Sequence, residues 1–71
     1  MLSQDRAIEI ARDLVQSRTE AGVLDRRGVA AERTEEGWHI WFPWQDPNML
    51  GGSPHVMVRD DGSIGDFYST Q

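Results

Sequence analysis

The chain has 71 residues, twelve acidic against seven basic, a formal net charge of -5 and no cysteine. One domain is all this length supports, burying roughly 60% of its unfolded surface. Disulfides and thiolate metal sites are excluded, and so acidic a chain repels the phosphate backbone of a nucleic acid.

Ser3 is placed to cap a helix, and Asp5 and Glu9 put negative charge in its early turns. Ala7, Ile10, Ala11, Leu14 and Val15 then recur at helical spacing, with Ile8 on the flank. This predicts one amphipathic helix over residues 4 to 20, with Gly22 free to adopt the left-handed C-cap conformation. Val23 and Leu24 are expected to fold back onto its end. Asp25-Arg26-Arg27-Gly28 reads as a polar, solvated loop. Residues 29 to 34 alternate weakly and predict a short first strand. Glu35-Glu36-Gly37 then turns the chain, with Gly37 available for positive φ.

Residues 37 to 44 hold all three tryptophans and one of the two phenylalanines. A strand from about Trp38 to Phe42 points Trp38, Ile40 and Phe42 one way and His39 and Trp41 the other. Pro43 ends it. Gln45-Asp46-Pro47-Asn48 and Gly51-Gly52-Ser53-Pro54 carry turn chemistry, and Met49 and Leu50 between them either pin the loop to the core or form a binding rim. Residues 54 to 59 and 63 to 68 form a hairpin around Asp60-Asp61-Gly62. Two registers are open: a two-residue turn on Asp61-Gly62 puts Val56 opposite Phe67, whereas a three-residue loop with a glycine bulge puts Val58 opposite Ile64 and His55 opposite Phe67. Glycine third after two aspartates favours the bulged loop, which gathers Val56, Val58, Ile64 and Tyr68 on one face. The expected fold is α+β: one N-terminal amphipathic helix packed on an antiparallel meander of three to four strands, residues 1 to 71 forming a single domain.

Motifs of catalysis are missing. Gly51-Gly52-Ser53 lacks the Lys-Ser/Thr pair and the following helix of a phosphate loop, and Pro54 rules out a nucleophile elbow. Asp60-Asp61-Gly62 lacks the ligand ladder of a calcium loop. His39 and His55 would approach each other on the face away from the helix, giving a weak metal site or a pH-sensitive patch, but the spacing supplies no third zinc ligand. No catalytic residue, metal ligand or cofactor is therefore assigned, and an enzyme is not expected.

What remains is a sheet face that a single helix leaves bare. His39, Trp41, His55, Met57 and Phe67 are the candidate partner-binding residues, the kind of apolar and aromatic patch that marks interfaces. Three fates suit it: a second copy, making a homodimer or oligomer; a heterologous protein; or a face that stays exposed or is covered by the loop of residues 45 to 53. Glu35-Glu36 and Asp60-Asp61 add an acidic edge that would suit a basic partner. Neither nucleic acid nor membrane is an expected partner. Met1 to Asp5 lacks the basic region and apolar run of a signal peptide, and no stretch of about 18 apolar residues occurs, so a cytoplasmic location is expected.

Ala7-Ile8-Glu9-Ile10-Ala11-Arg12, Gly37-Trp38, Gly51-Gly52-Ser53-Pro54, Val56-Met57-Val58 and Asp60-Asp61-Gly62, spread over nearly the whole chain, resemble the motifs of the YrhB-like, or immunity protein 35, family of small bacterial proteins. The resemblance implies a cytoplasmic binder that neutralises a toxin, or a chaperone-like relative, and brings no catalytic residues with it. The same outline of helix then meander also looks like PepSY-type inhibitory modules.

Overall fold

A computed structural model describes residues 1–19, 24, 27–45 and 51–70. Helix α1 spans Gln4–Arg18 and is followed by strands β1 (Ala30–Arg33), β2 (Gly37–Trp41), β3 (Pro54–Arg59) and β4 (Ile64–Ser69). The strands form one antiparallel sheet in the order β1-β2-β3-β4, a meander with α1 packed against β2 and β3. The fold is the expected α+β arrangement, with four strands.

The helix begins where the capping chemistry places it. The Ser3 hydroxyl accepts from the Arg6 backbone N–H at 3.2 Å, satisfying one donor that the first turn leaves open, and the Ser3 carbonyl accepts from Ala7 at 3.0 Å as the first bond of the helical ladder. It ends at Arg18 rather than at residue 20. Thr19 turns to an extended conformation, φ -133°, and its hydroxyl donates to the Val15 carbonyl at 2.5 Å, closing the last turn with a side chain. The proposed glycine cap at Gly22 lies outside the described residues, as do Val23, Met49 and Leu50. Ala7, Ala11 and Val15 are fully buried, and the two alanines, one turn apart, let the helix backbone lie close over the sheet.

Against them pack Ile40 and Phe42 from β2 and its end and Val56 and Val58 from β3, all essentially inaccessible to water. Leu2, Leu24, Ala31, Trp38, Ile64 and Phe67 close the rim of this cluster. Trp38 is partly buried, and its Nε1–H donates to the Leu2 carbonyl at 2.8 Å, so the ring packs with its polar atom satisfied. Arg33, its register partner, places its guanidinium 5.5 Å from the ring and forms a bidentate pair with Asp60, 2.6 and 2.8 Å. This ties β1 to the β3–β4 turn.

Gly37 serves a different purpose from the one expected. Its φ is not positive; among the described residues the positive-φ glycines are Gly51 and Gly62. Gly37 is buried where β2 passes β3, and a Cβ there would sit 2.0 Å from the Val58 carbonyl oxygen. Close backbone approach, not turn geometry, demands glycine. The Thr34 hydroxyl accepts from the Gly37 N–H at 3.1 Å, and the Thr34 N–H reaches the Gly37 carbonyl at 2.9 Å, to form the β1–β2 turn.

Arg27 also departs from the solvated loop expected of it. Its guanidinium lies 3.8 Å from the centre of the Trp44 ring and donates to the carbonyls of Phe42 at 2.9 Å and Gly52 at 3.1 Å. Gly28 adds a backbone bond to Pro43 at 2.8 Å. Three loop segments far apart in sequence are thus clasped at one end of the sheet, and burial holds the Arg27 pKa below its ordinary value.

Candidate functional site

The site is the sheet face turned away from α1. Antiparallel register arranges it in cross-strand rows. Ala30, Trp41, His55 and Tyr68 form one row, from β1 to β4; Glu32, His39, Met57 and Asp66 form the next. All four rings of this face come together. The His55 and Tyr68 rings stack at 4.8 Å with planes 7° apart, Trp41 is 5.9 Å from His55 with planes 11° apart, and His39 is 4.7 Å from Trp41. The parallel rings follow the strand spacing of about 4.8 Å, which places directly opposed side chains in stacking contact.

Four of the five residues expected here are present: His39, Trp41, His55 and Met57. Phe67 is not. It stands opposite Val56 and packs against the core on the helix side, while Tyr68 stands opposite His55 and is 40% exposed. The turn itself forms as expected, with Gly62 at φ 88°, the Gly62 N–H donating to Arg59 and the Arg59 N–H donating to Ser63, both at 2.8 Å. Val58 opposes Ile64, again as expected. The register then shifts, because β4 carries one extra residue: Val58 pairs with Ile64 but Met57 pairs with Asp66, leaving Gly65 unopposed. A bulge of one residue exchanges the two faces for everything beyond it. The reward is the burial of Phe67, an entirely apolar ring, in place of Tyr68, whose hydroxyl wants water. The signal in the sequence was Gly65, a glycine inside a strand pattern.

The two histidines make the closest polar contact of the face, with His39 Nε2 and His55 Nδ1 2.8 Å apart. Burial, then the proximity of His39, holds the His55 pKa below its ordinary value of 6.5. Glu32 is the register partner of His39, so carboxylates of Glu32 and Asp66 stand at the two ends of the second row. Among the described residues no group of three or more His, Asp or Glu side chains is arranged to hold a metal ion. The side chains of the face are suited to contact: flat, partly exposed and rich in rings.

The acidic residues of the two tight turns converge at one end of the sheet. The Asp60 N–H donates to the Glu36 carbonyl at 2.8 Å, so the β1–β2 and β3–β4 turns lie side by side. Glu35, Glu36, Asp60 and Asp61 line a shallow open groove together with Arg59. Arg33 holds the Asp60 carboxyl below its usual range, and the Ser63 hydroxyl and N–H do the same for Asp61. Among the described residues no helix is long and apolar enough to cross a membrane. No protein-family model, no curated protein and no solved structure matches this chain.

Proposed function

We propose that this chain is a non-enzymatic protein-binding domain that buries the outer sheet face against a protein partner. One observation carries the reading: α1 covers a single face of a four-stranded sheet, and on the other face Trp41, His39, His55, Met57 and Tyr68 form a continuous aromatic and thioether surface over which no described element packs. Tryptophan and tyrosine at the middle of such a patch are the side chains that dominate binding energy when a partner covers them. The acidic groove beside the patch favours a basic partner and rejects an acidic one. This is the role implied by the likeness of the chain's motifs to the YrhB-like immunity family: a small protein that occludes a toxin, with the toxin supplying the positive surface.

A second copy of the chain is the alternative occupant, favoured by the small size of the core that α1 and the sheet enclose. A two-fold interface would bring the same rings together from both sides and add buried apolar area to a domain that has little of it. Trp41→Asp separates these readings from an idle surface. Sedimentation at micromolar concentration should show the wild type self-associating and the variant monomeric if the occupant is a second copy. If the occupant is a basic protein, the wild type is monomeric and captures a partner from the lysate of its own cells that Trp41→Ala does not. A Trp41→Ala variant that folds and still captures the same partner refutes this face as the contact surface.

A further inference from the structure

We propose that His39 and His55 act as one proton-sensing unit that sets the charge of the outer sheet face. The rings are within 29° of coplanar, with centroids 5.0 Å apart and their nearest nitrogens 2.8 Å apart, so they meet edge to edge along an N···N line. One proton fits on that line. In the neutral pair one imidazole donates and the other accepts. A first added proton goes to the far nitrogen of the donor ring and leaves the shared bond in place, now charge-assisted. A second must land on the accepting nitrogen itself; it breaks the bond and sets two N–H groups and two positive charges against each other. The two steps therefore belong to the pair and separate.

The charged groups that face the pair come from the strands on either side. From β1, Glu32 stands across from His39; from β4, Asp66 stands across from Met57 and Tyr68 stacks on His55; on β3 itself, Arg59 lies two residues beyond Met57. Helix α1 is on the other side of the sheet and adds no charge here. The Asp66 carboxylate accepts from the Phe67 N–H at 2.9 Å, and among the described residues no carboxylate pairs with either imidazole. Burial of His55 and the proximity of His39 disfavour a second proton, in keeping with the lowered His55 pKa.

The unit rests on the reading of this face as a contact surface for its biological consequence: a partner that buries the row must exclude the proton, so acidification releases it. The titration itself can be tested without any partner. Nitrogen-detected NMR of the two imidazoles, followed from about pH 8 to about pH 4, should show two steps at least about one unit apart, with both rings sensing both steps. Replacing either histidine by Phe should convert the remaining one to a single step shifted from its wild-type midpoint. Two independent single steps in the wild type, or a midpoint unmoved when the neighbour is replaced, overturns the proposal. Sedimentation at about pH 7.5 and about pH 5.5 is run on the same samples: a second-copy partner should dissociate at least tenfold more readily at the lower pH. Absence of self-association at both pH values refutes the second copy as occupant and leaves the proton unit to be judged on its titration alone.

Discussion

Replacing Gly37 by Ala tests the strand pairing on which the whole outer face depends. A Cβ at this position would lie 2.0 Å from the Val58 carbonyl oxygen, 2.8 Å from Arg59 Cα and 2.9 Å from the Arg59 carbonyl carbon, against an ordinary contact distance of 3.4 Å or more. All three are backbone atoms, so no rotamer change relieves the overlap; β2 and β3 must part locally. Overpacking costs about 1–3 kcal/mol where side chains can yield, and here the loss of a ladder hydrogen bond adds about 1 kcal/mol. The expected destabilisation is about 3 kcal/mol or more, a large share of the roughly 4–10 kcal/mol available to a chain of this size. That corresponds to a fall in Tm of about 12–24 °C. Urea unfolding followed by tryptophan fluorescence measures it, with Gly65→Ala as the control. Gly65 has ordinary φ and its nearest neighbours stand 3.5 Å or more from a Cβ, so its replacement should cost under about 1 kcal/mol. A Gly37→Ala protein within about 0.5 kcal/mol of wild type would refute the close approach of β2 to β3. The pairing of Gly37 with Arg59 would fall with it, and so would the register that brings His39 to His55.

Phe67→Ala should destabilise the fold by about 2–4 kcal/mol, whereas Tyr68→Ala should cost under about 1 kcal/mol; equal costs in chemical denaturation would remove the bulge at Gly65. Arg27→Met should cost about 1–3 kcal/mol by leaving the Phe42 and Gly52 carbonyls without their donor, and Arg27→Lys should not restore it, since the flat guanidinium is what lies on Trp44 while reaching both. Stability should fall on acidification in two windows. Burial makes folded His55 harder to protonate than the unfolded residue, so below about 6.5 the unfolded state binds more protons and stability, full above that value, drops as the pH falls below it. Asp60 and Asp61 ionise more readily when folded, so their contribution is full above about 3.8 and is lost as the pH falls below it. The urea midpoint against pH reads both windows, and His55→Phe should abolish the upper one alone.

Short-range chemistry is enough to set the elements and the division of the central strand. Helical spacing of Ala7, Ala11 and Val15, the Ser3 cap, and the strict alternation of Trp38 to Phe42 with His39 and Trp41 are local patterns, and local sterics and hydrogen bonding are enough to read them. The three-residue turn at Asp60-Asp61-Gly62 was legible for the same reason, because glycine in the left-handed region is a property of four or five residues. How distant segments meet is set by long-range packing. Whether Phe67 or Tyr68 faces the helix depends on one unopposed residue at Gly65, and the choice is made by burial of a ring against a core assembled from other strands. Gly37 is required by a neighbouring backbone that lies more than twenty residues away in the chain, and Arg27 by two carbonyls that meet only when the sheet is formed. The 2.8 Å approach of His39 to His55 belongs to the same class. Alternation placed both on one face, but the distance that makes them a pair came from register, which depends on long-range packing rather than on any local preference.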